Sequence, residues 1–276
     1  METIQFIRFI ENSTANSFLA KCSDSRYWVI RCKKKDKNSK RLFSEYIAGS
    51  LAENFGISHP EVRLVKISSK IMRLLNGFDN IFDENCSVGV ASLYIENLKK
   101  IMAPKVKSFL DPTFPRINIE HLKTELSCVK NFEQIYGLKV FSHWIYLSDY
   151  HKYENLQVTP NNEIMFLDFD LSFESNESSW GSLPEYSFIK INTNQAPYWE
   201  GYTNDIKPFQ YWLDKLIELS SQEFLNKLEV LPTCWAVPNN YFDNIIDYIF
   251  SNRIKFIEEF KRGIDFHREL NSLSEN

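Results

Sequence analysis

The stretch Phe141–Phe173, FSHWIYLSDYHKYENLQVTPNNEIMFLDFDLSF, carries the residues on which the reading of this chain turns. An apolar, aromatic run from Phe141 to Leu147 leads into a polar loop, Ser148 to Asn155. A short turn, Thr159 to Asn162, precedes a second apolar run, Ile164 to Leu167, which stops abruptly at Asp168, Phe169 and Asp170. A buried-looking strand that ends in carboxylates is unusual, because an unpaired buried charge is expensive. Such carboxylates bind a metal or hold a turn. If Leu156 to Leu167 fold as a hairpin, Asp149, Asn155 and Asp168 converge. That set offers one proton acceptor and two oxygen ligands for a hard cation such as Mg²⁺.

Composition sets the frame for that site. The 276 residues fit one two-lobed domain or two small ones, and 43% hydrophobic residues supply a sizeable core. A net charge of −4 argues against a general nucleic-acid binder. Only 8 glycines leave few positions for positive φ, so a glycine-based phosphate cradle is not expected. The cysteines (Cys22, Cys32, Cys86, Cys128 and Cys234) are odd in number and form no CxxC pair, which predicts reduced thiols in a cytoplasmic protein. The N-terminal METIQFIRFIENSTANSF has no signal-peptide shape, and no apolar run reaches the ~18 residues of a membrane span.

Outward from the site, the two halves differ in texture. Ile4–Ile10, Phe18–Cys22 and Tyr27–Cys32 read as three strands of a meander. The charged run KKKDKNSKR (33–41) reads as a solvated loop or a phosphate-attracting rim. Leu42–Phe55 has helical spacing, with Ser39 as N-cap, Glu45 near its start and Gly56 as the glycine that ends it. Val62–Ile67 and Val88–Ile95 read as further strands, with Ile71–Asp83 mixed helix and loop between them. After about residue 98 helical patterns dominate: Glu120–Tyr136, Leu138–Leu147, Phe209–Leu219, Gln222–Leu231 and Asn239–Ile264. Residues 174–207 read as a long loop, and the aromatic residues of 180–212 as core or loop packing.

Four pieces of this chain, in their order and spacing, resemble the HipA-like kinases, a bacterial family that includes persistence-type toxins. YWVIRCKKK (27–35) is similar to the family's strand that ends in a cation. RLFSEYIAGSLAENFGISHPEVRLVKI (41–67) is similar to its helix bearing an acidic residue, followed by a strand. SDYHKYENL (148–156) with LDFDLSF (167–173) resembles the catalytic loop and metal-binding Asp segment. VPNNYFDNIIDYIFSNRIKFIEEF (237–260) resembles the family's C-terminal helix pair.

The resemblance implies an α+β, two-lobed protein-kinase-like fold: a β-rich nucleotide-binding lobe over residues 1–98 and a mainly helical catalytic lobe over 99–276. It implies an ATP- and Mg²⁺-dependent serine/threonine protein kinase acting on a protein hydroxyl. Asp149 would position the acceptor hydroxyl or take its proton. Asn155 and Asp168 would hold Mg²⁺, and Glu45 would pair with a strand cation. The implied partners are a protein substrate and an antitoxin or regulatory protein, with no direct nucleic-acid contact and no membrane. Three features depart from the family. The strand cation is Arg31 rather than lysine, with Lys33 on the same strand face by alternation. Asp149 and Asn155 stand six positions apart where the family has five. No glycine-rich loop precedes the second strand; Asn12–Ser17 offers hydroxyls and backbone N–H groups instead. These departures keep two alternatives in view: a catalytically impaired pseudokinase acting as an interaction module, and a metal-dependent phosphohydrolase using Asp168, Asp170 and His151.

Overall fold

The computed structural model describes residues 1–11, 16–101, 126–147, 155–173, 180, 183 and 205–274 (side chains to 265), with the backbone of 117–118 and 199–200. The β-branched and aromatic runs near the N-terminus form β1 (Thr3–Phe9), β2 (Phe18–Cys22) and β3 (Tyr27–Arg31). With β4 (Val62–Lys66) and β5 (Val88–Leu93) they make one antiparallel sheet in the order β1-β2-β3-β5-β4. The sheet curls until its edges meet. Glu2 pairs with Lys66, whose amide donates to the Met1 carbonyl at 2.9 Å.

Alternation along β3 sends Trp28 and Ile30 into an apolar core, leaving Val29 and Arg31 for the opposite face. That core is completed by α2 (Ser69–Asp79), which starts at Ser68, whose hydroxyl accepts the Ile71 amide. The mixed pattern of 71–83 thus resolves into a helix. Across from Arg31 on β5 stands Val90, and beside it Gly89. A Cβ on Gly89 would fall on the Arg31 carbonyl oxygen, so only glycine lets the two strands approach there.

The helix expected at 42–55 is α1 (Lys40–Phe55), ended by Gly56 in the left-handed region at φ 83°. Its N-terminus differs from expectation. Ser39 stands at the N-cap position but its side chain makes no capping bond; the Asn38 carboxamide accepts the Lys40 amide instead. Thirteen of its 16 residues are buried. The helix is wrapped on all sides, because the sheet lies on one flank and the helical part of the chain on the other.

The helical part holds α3 (Gln134–Trp144), α4 (Lys207–Glu218), α5 (Ser221–Glu229), a 3₁₀ turn (Thr233–Trp235), α6 (Asn239–Ile246) and α7 (Arg253–Ser274). Two expectations are corrected. Residues 126–133 form turns, not the end of a helix from 120, because the Asn131 carboxamide acts as a strand peptide: it accepts the Ile164 amide at 2.7 Å and donates to its carbonyl at 3.1 Å. The single helix expected over 239–264 is broken by a π turn at Asp247–Ser251, where Asn252 donates back to the Asp247 carbonyl. The hairpin appears as anticipated, and an unforeseen strand joins it: β6 (Lys99–Lys100) pairs with β8 (Leu156–Val158), which pairs with β9 (Ile164–Phe166). A two-residue parallel pair links β7 (Ile117–Asn118) to β10 (Trp199–Glu200). Among 174–207, Trp180 is described and packs edge-on against Phe43 and Tyr241.

The expectation of reduced thiols is overturned in one place. Cys86 and Cys234 are joined by a disulfide, while Cys22, Cys32 and Cys128 are free. Spacing could not reveal this pair, because 148 positions separate its members. Among the described residues no helix is long and apolar enough to cross a membrane.

Candidate active site

A cleft of about 510 Å³ lies between the sheet and the hairpin, lined by Val29, Arg31, Glu45, Ser92, Asn155 and Asp168 among others. Its volume suits a small organic ligand. Elements far apart in sequence supply the lining. Arg31 ends β3, Glu45 lies in the second turn of α1, and Asp168 follows β9 by two residues.

Arg31 is the hub. Its Nη1 and Nη2 donate to Asp168 Oδ1 and Oδ2 at 3.1 and 2.8 Å. Nη1 also reaches Glu45 Oε2 and Asp170 Oδ2, each at 3.3 Å. Arg41 stands 3.6 Å from the same Asp170 oxygen. Three carboxyl groups therefore face two guanidinium groups.

Glu45 is held from three sides. It accepts from Arg31, from the Ser92 hydroxyl at 3.1 Å and from the Phe169 amide at 2.9 Å. Burial pushes its carboxyl up to about 8 despite the pull of Arg31, with Asp168 and Asp170 adding to the rise. Asp168 feels burial as well, which would raise it, but the Arg31 guanidinium outweighs that and holds it below the usual carboxylate range. Phe169 is sunk in the core against the rings of Phe141, Phe166 and His59. The Asp170 amide closes a turn on Asp168 Oδ1 at 3.1 Å. The segment Asp168–Asp170 is thus fixed by its middle residue.

Arg31, Glu45, Asn155 and Asp168 come together on one cleft, and Asp170 joins them through Arg31. Asn155 is 8% exposed, and its carbonyl accepts the Leu167 amide at the hairpin mouth. Lys33 does not join them. β3 ends at Arg31, so strand alternation does not extend to Lys33, whose ammonium binds Asp83 at 2.9 Å and the Cys234 carbonyl at 3.4 Å. Asp149 and His151 lie outside the described residues. Sequence reasoning missed Ser92, whose hydroxyl on Glu45 has no signal in a strand of small residues, and Arg41, hidden inside a charged run.

Residues 3–260 match the family of HipA-like kinases. The chain belongs to that family. Its fold is similar to that of the Helicobacter pylori proinflammatory kinase CtkA, with a TM-score of 0.55 at 12% identity over 95% of this chain and 96% of that one. The Golgi casein kinase is similar with a TM-score of 0.50 at 10% identity, covering 95% of this chain and 74% of that chain. HipA of Shewanella oneidensis MR-1, solved with HipB and operator DNA, gives a TM-score of 0.47 at 9% identity over 92% of this chain and 67% of that one. No curated protein matches the sequence. The architecture is the two-lobed, α+β kinase-like fold, with a β-rich N-terminal part and a helical C-terminal part.

Proposed function

We propose that this HipA-like kinase is an ATP- and Mg²⁺-dependent serine/threonine protein kinase that moves the γ-phosphoryl group of ATP to a hydroxyl on a protein substrate. The observation that carries the reading is the convergence of Arg31, Glu45 and Asp168 on one cleft that Asn155 also lines. In it, residues 1–98 form the nucleotide-binding lobe and 99–276 the catalytic lobe. Arg31 neutralises phosphate oxygens and Glu45 holds Arg31 in place. Asn155 and Asp168 hold the metal, and Asp149 positions the acceptor hydroxyl or takes its proton.

The donor set fits a hard cation. Asp168 and Asn155 offer a carboxylate and an amide oxygen, and Mg²⁺ keeps several waters, so two protein oxygens suffice. Asp168 and Asp170 supply the negative charge that a cation there would meet. Held by Asn155 and Asp168, Mg²⁺ would supply charge neutralisation for the phosphoryl group being transferred. The protein's own part is positioning and charge complementarity, which is most of what phosphoryl transfer requires. The family supports a protein substrate and an antitoxin or regulatory partner, and a cytoplasmic location goes with that reading.

Calorimetry of ATP with and without Mg²⁺, on the wild type and Asp168→Asn, tests the reading. Mg²⁺-dependent binding lost in the variant is the expected result. A second reading, a pseudokinase serving as an interaction module, draws on the two-pronged grip of Arg31 on Asp168, which occupies both carboxylate oxygens. No ATP binding at any Mg²⁺ concentration would favour it.

A further inference from the structure

The two halves of the molecule meet at a second junction, away from the chain crossing that leaves β5. The first junction is the chain itself, running from Leu93 through Tyr94 and Ile95 to β6 along one end of the cleft. The second lies at the other end of β5. There the turn at 83–88 faces the 3₁₀ turn Thr233–Trp235 of the helical half. Trp235, buried to 1% exposure, donates its indole N–H to the Val88 carbonyl at 3.1 Å. Lys33 links Asp83 to the Cys234 carbonyl. The Cys86–Cys234 disulfide spans the same gap, with Cα atoms 5.3 Å apart.

β5 carries six residues, which sets the two junctions roughly 17 Å apart at strand rise. The cleft runs between them, from Leu93 and Tyr94 toward Arg31, two residues before Lys33. The halves also meet along α1, which is buried between them, and through the grip of Arg31 on Asp168. The indole bond and the Lys33 contacts can break and reform transiently, whereas the disulfide cannot. Of the contacts at this second junction the disulfide is the covalent one, and it holds until it is reduced.

We propose that Cys86–Cys234 is a reversible redox lock on the cleft: formed, it holds the two halves together at the end opposite the chain crossing; reduced, it lets that end open and exchange its occupant. Access favours one direction of attack. Cys234 is half-buried and Cys86 only 1% exposed, so a small thiolate attacks the Cys234 sulfur. The S–S bond breaks, the new bond is a mixed disulfide on Cys234, and Cys86 leaves as a thiolate that takes up a proton. A second small thiol displaces the first from Cys234. The balance is two small thiols oxidised to their disulfide and one protein disulfide reduced to two thiols. A low-molecular-weight disulfide drives the same steps backwards.

The lock is tested on the full chain without assuming an occupant. With Cys128 alkylated under native conditions, non-reducing peptide mapping should find Cys86 linked to Cys234, and dithiothreitol should release them. Hydrogen–deuterium exchange of cleft segments 92–95 and 166–170 should be several-fold faster in the reduced wild type than in the oxidised one. Cys234→Ser should match the reduced rate under both conditions. Equal exchange in all samples, or peptides that stay unlinked under oxidised glutathione, would overturn the lock. The functional arm rests on the kinase reading: a fluorescent ATP analogue should leave the reduced protein several-fold faster than the oxidised one. No binding to either form would remove the nucleotide reading, while the exchange comparison would still decide the lock.

Discussion

Arg31 grips Asp168 with both terminal guanidinium nitrogens, at 3.1 and 2.8 Å, while the same Nη1 touches Glu45 at 3.3 Å. One side chain thus joins the end of β3 to α1 and to the segment after β9. A lysine ammonium in its place would be a point charge without a fork.

Removing that fork should unsettle all three elements. Breaking one side of a buried ion pair costs about 3–5 kcal/mol. Arg31→Ala should lie near the lower end of that range, about 3 kcal/mol, since the Arg31 side chain keeps 18% exposure. Arg31→Lys should lose less, because the charge survives. Urea unfolding of both variants checks this. Equal losses would mean that a lysine charge contributes nothing at this position.

Stability should respond to pH through two buried groups of opposite sign. Burial raises Glu45 to about 8 from an ordinary 4.5, so its contribution is full below pH 4.5 and is lost as pH rises through 8. Burial lowers His59 to about 4 from 6.5, so its contribution is present above pH 6.5 and is lost as pH falls through 4. The two oppose each other between 4.5 and 6.5, and above 6.5 His59 no longer counters Glu45. Glu45→Gln should therefore gain on the wild type steadily from pH 4.5 to 8. A pH-independent difference between their urea midpoints would refute the protonated Glu45.

Gly89→Ala should disturb the site without touching it. The added methyl would meet the Arg31 carbonyl and force β3 from β5. Overpacking of this kind costs about 1–3 kcal/mol, and ATP affinity should fall with it because Arg31 rides on the displaced strand. Calorimetry showing unchanged affinity alongside lowered stability would separate the two effects and count against Arg31 as the phosphate contact.

Asn131→Ala should loosen the hairpin. Both hydrogen bonds to the Ile164 peptide disappear, a loss of about 2 kcal/mol at roughly 1 kcal/mol per bond. Asn131→Asp keeps the acceptor and should retain about half. If both variants lose equally in guanidinium unfolding, the donor half of the carboxamide carries the effect.

The strands, α1 with its terminal glycine, and the hairpin were legible because each rests on local signals: alternation, helical spacing and turn residues. The convergence of Arg31, Glu45 and Asp168 was legible only through the order of motifs, since residues 14 and 137 positions apart carry no mutual periodicity. What escaped the reading was tertiary. Asn131 exchanged a helix for a strand edge it had yet to meet. Lys33 seemed to share a face with Arg31 because alternation was extended past the strand's last residue. The break at Asp247 came from an Asn252 side chain that any helix could have carried. The cysteine count favoured free thiols, because a bridge between two halves leaves no trace in spacing.

That bridge also bears on the unfolded chain. Closing a loop of 148 residues restricts the denatured ensemble, by on the order of 5 kcal/mol in the chain-entropy account. A domain's whole margin is about 5–15 kcal/mol. The same polypeptide thus has two unfolding free energies, one for each redox state of its surroundings. A thermal midpoint measured in reductant describes a chain that has regained the freedom of its entire middle.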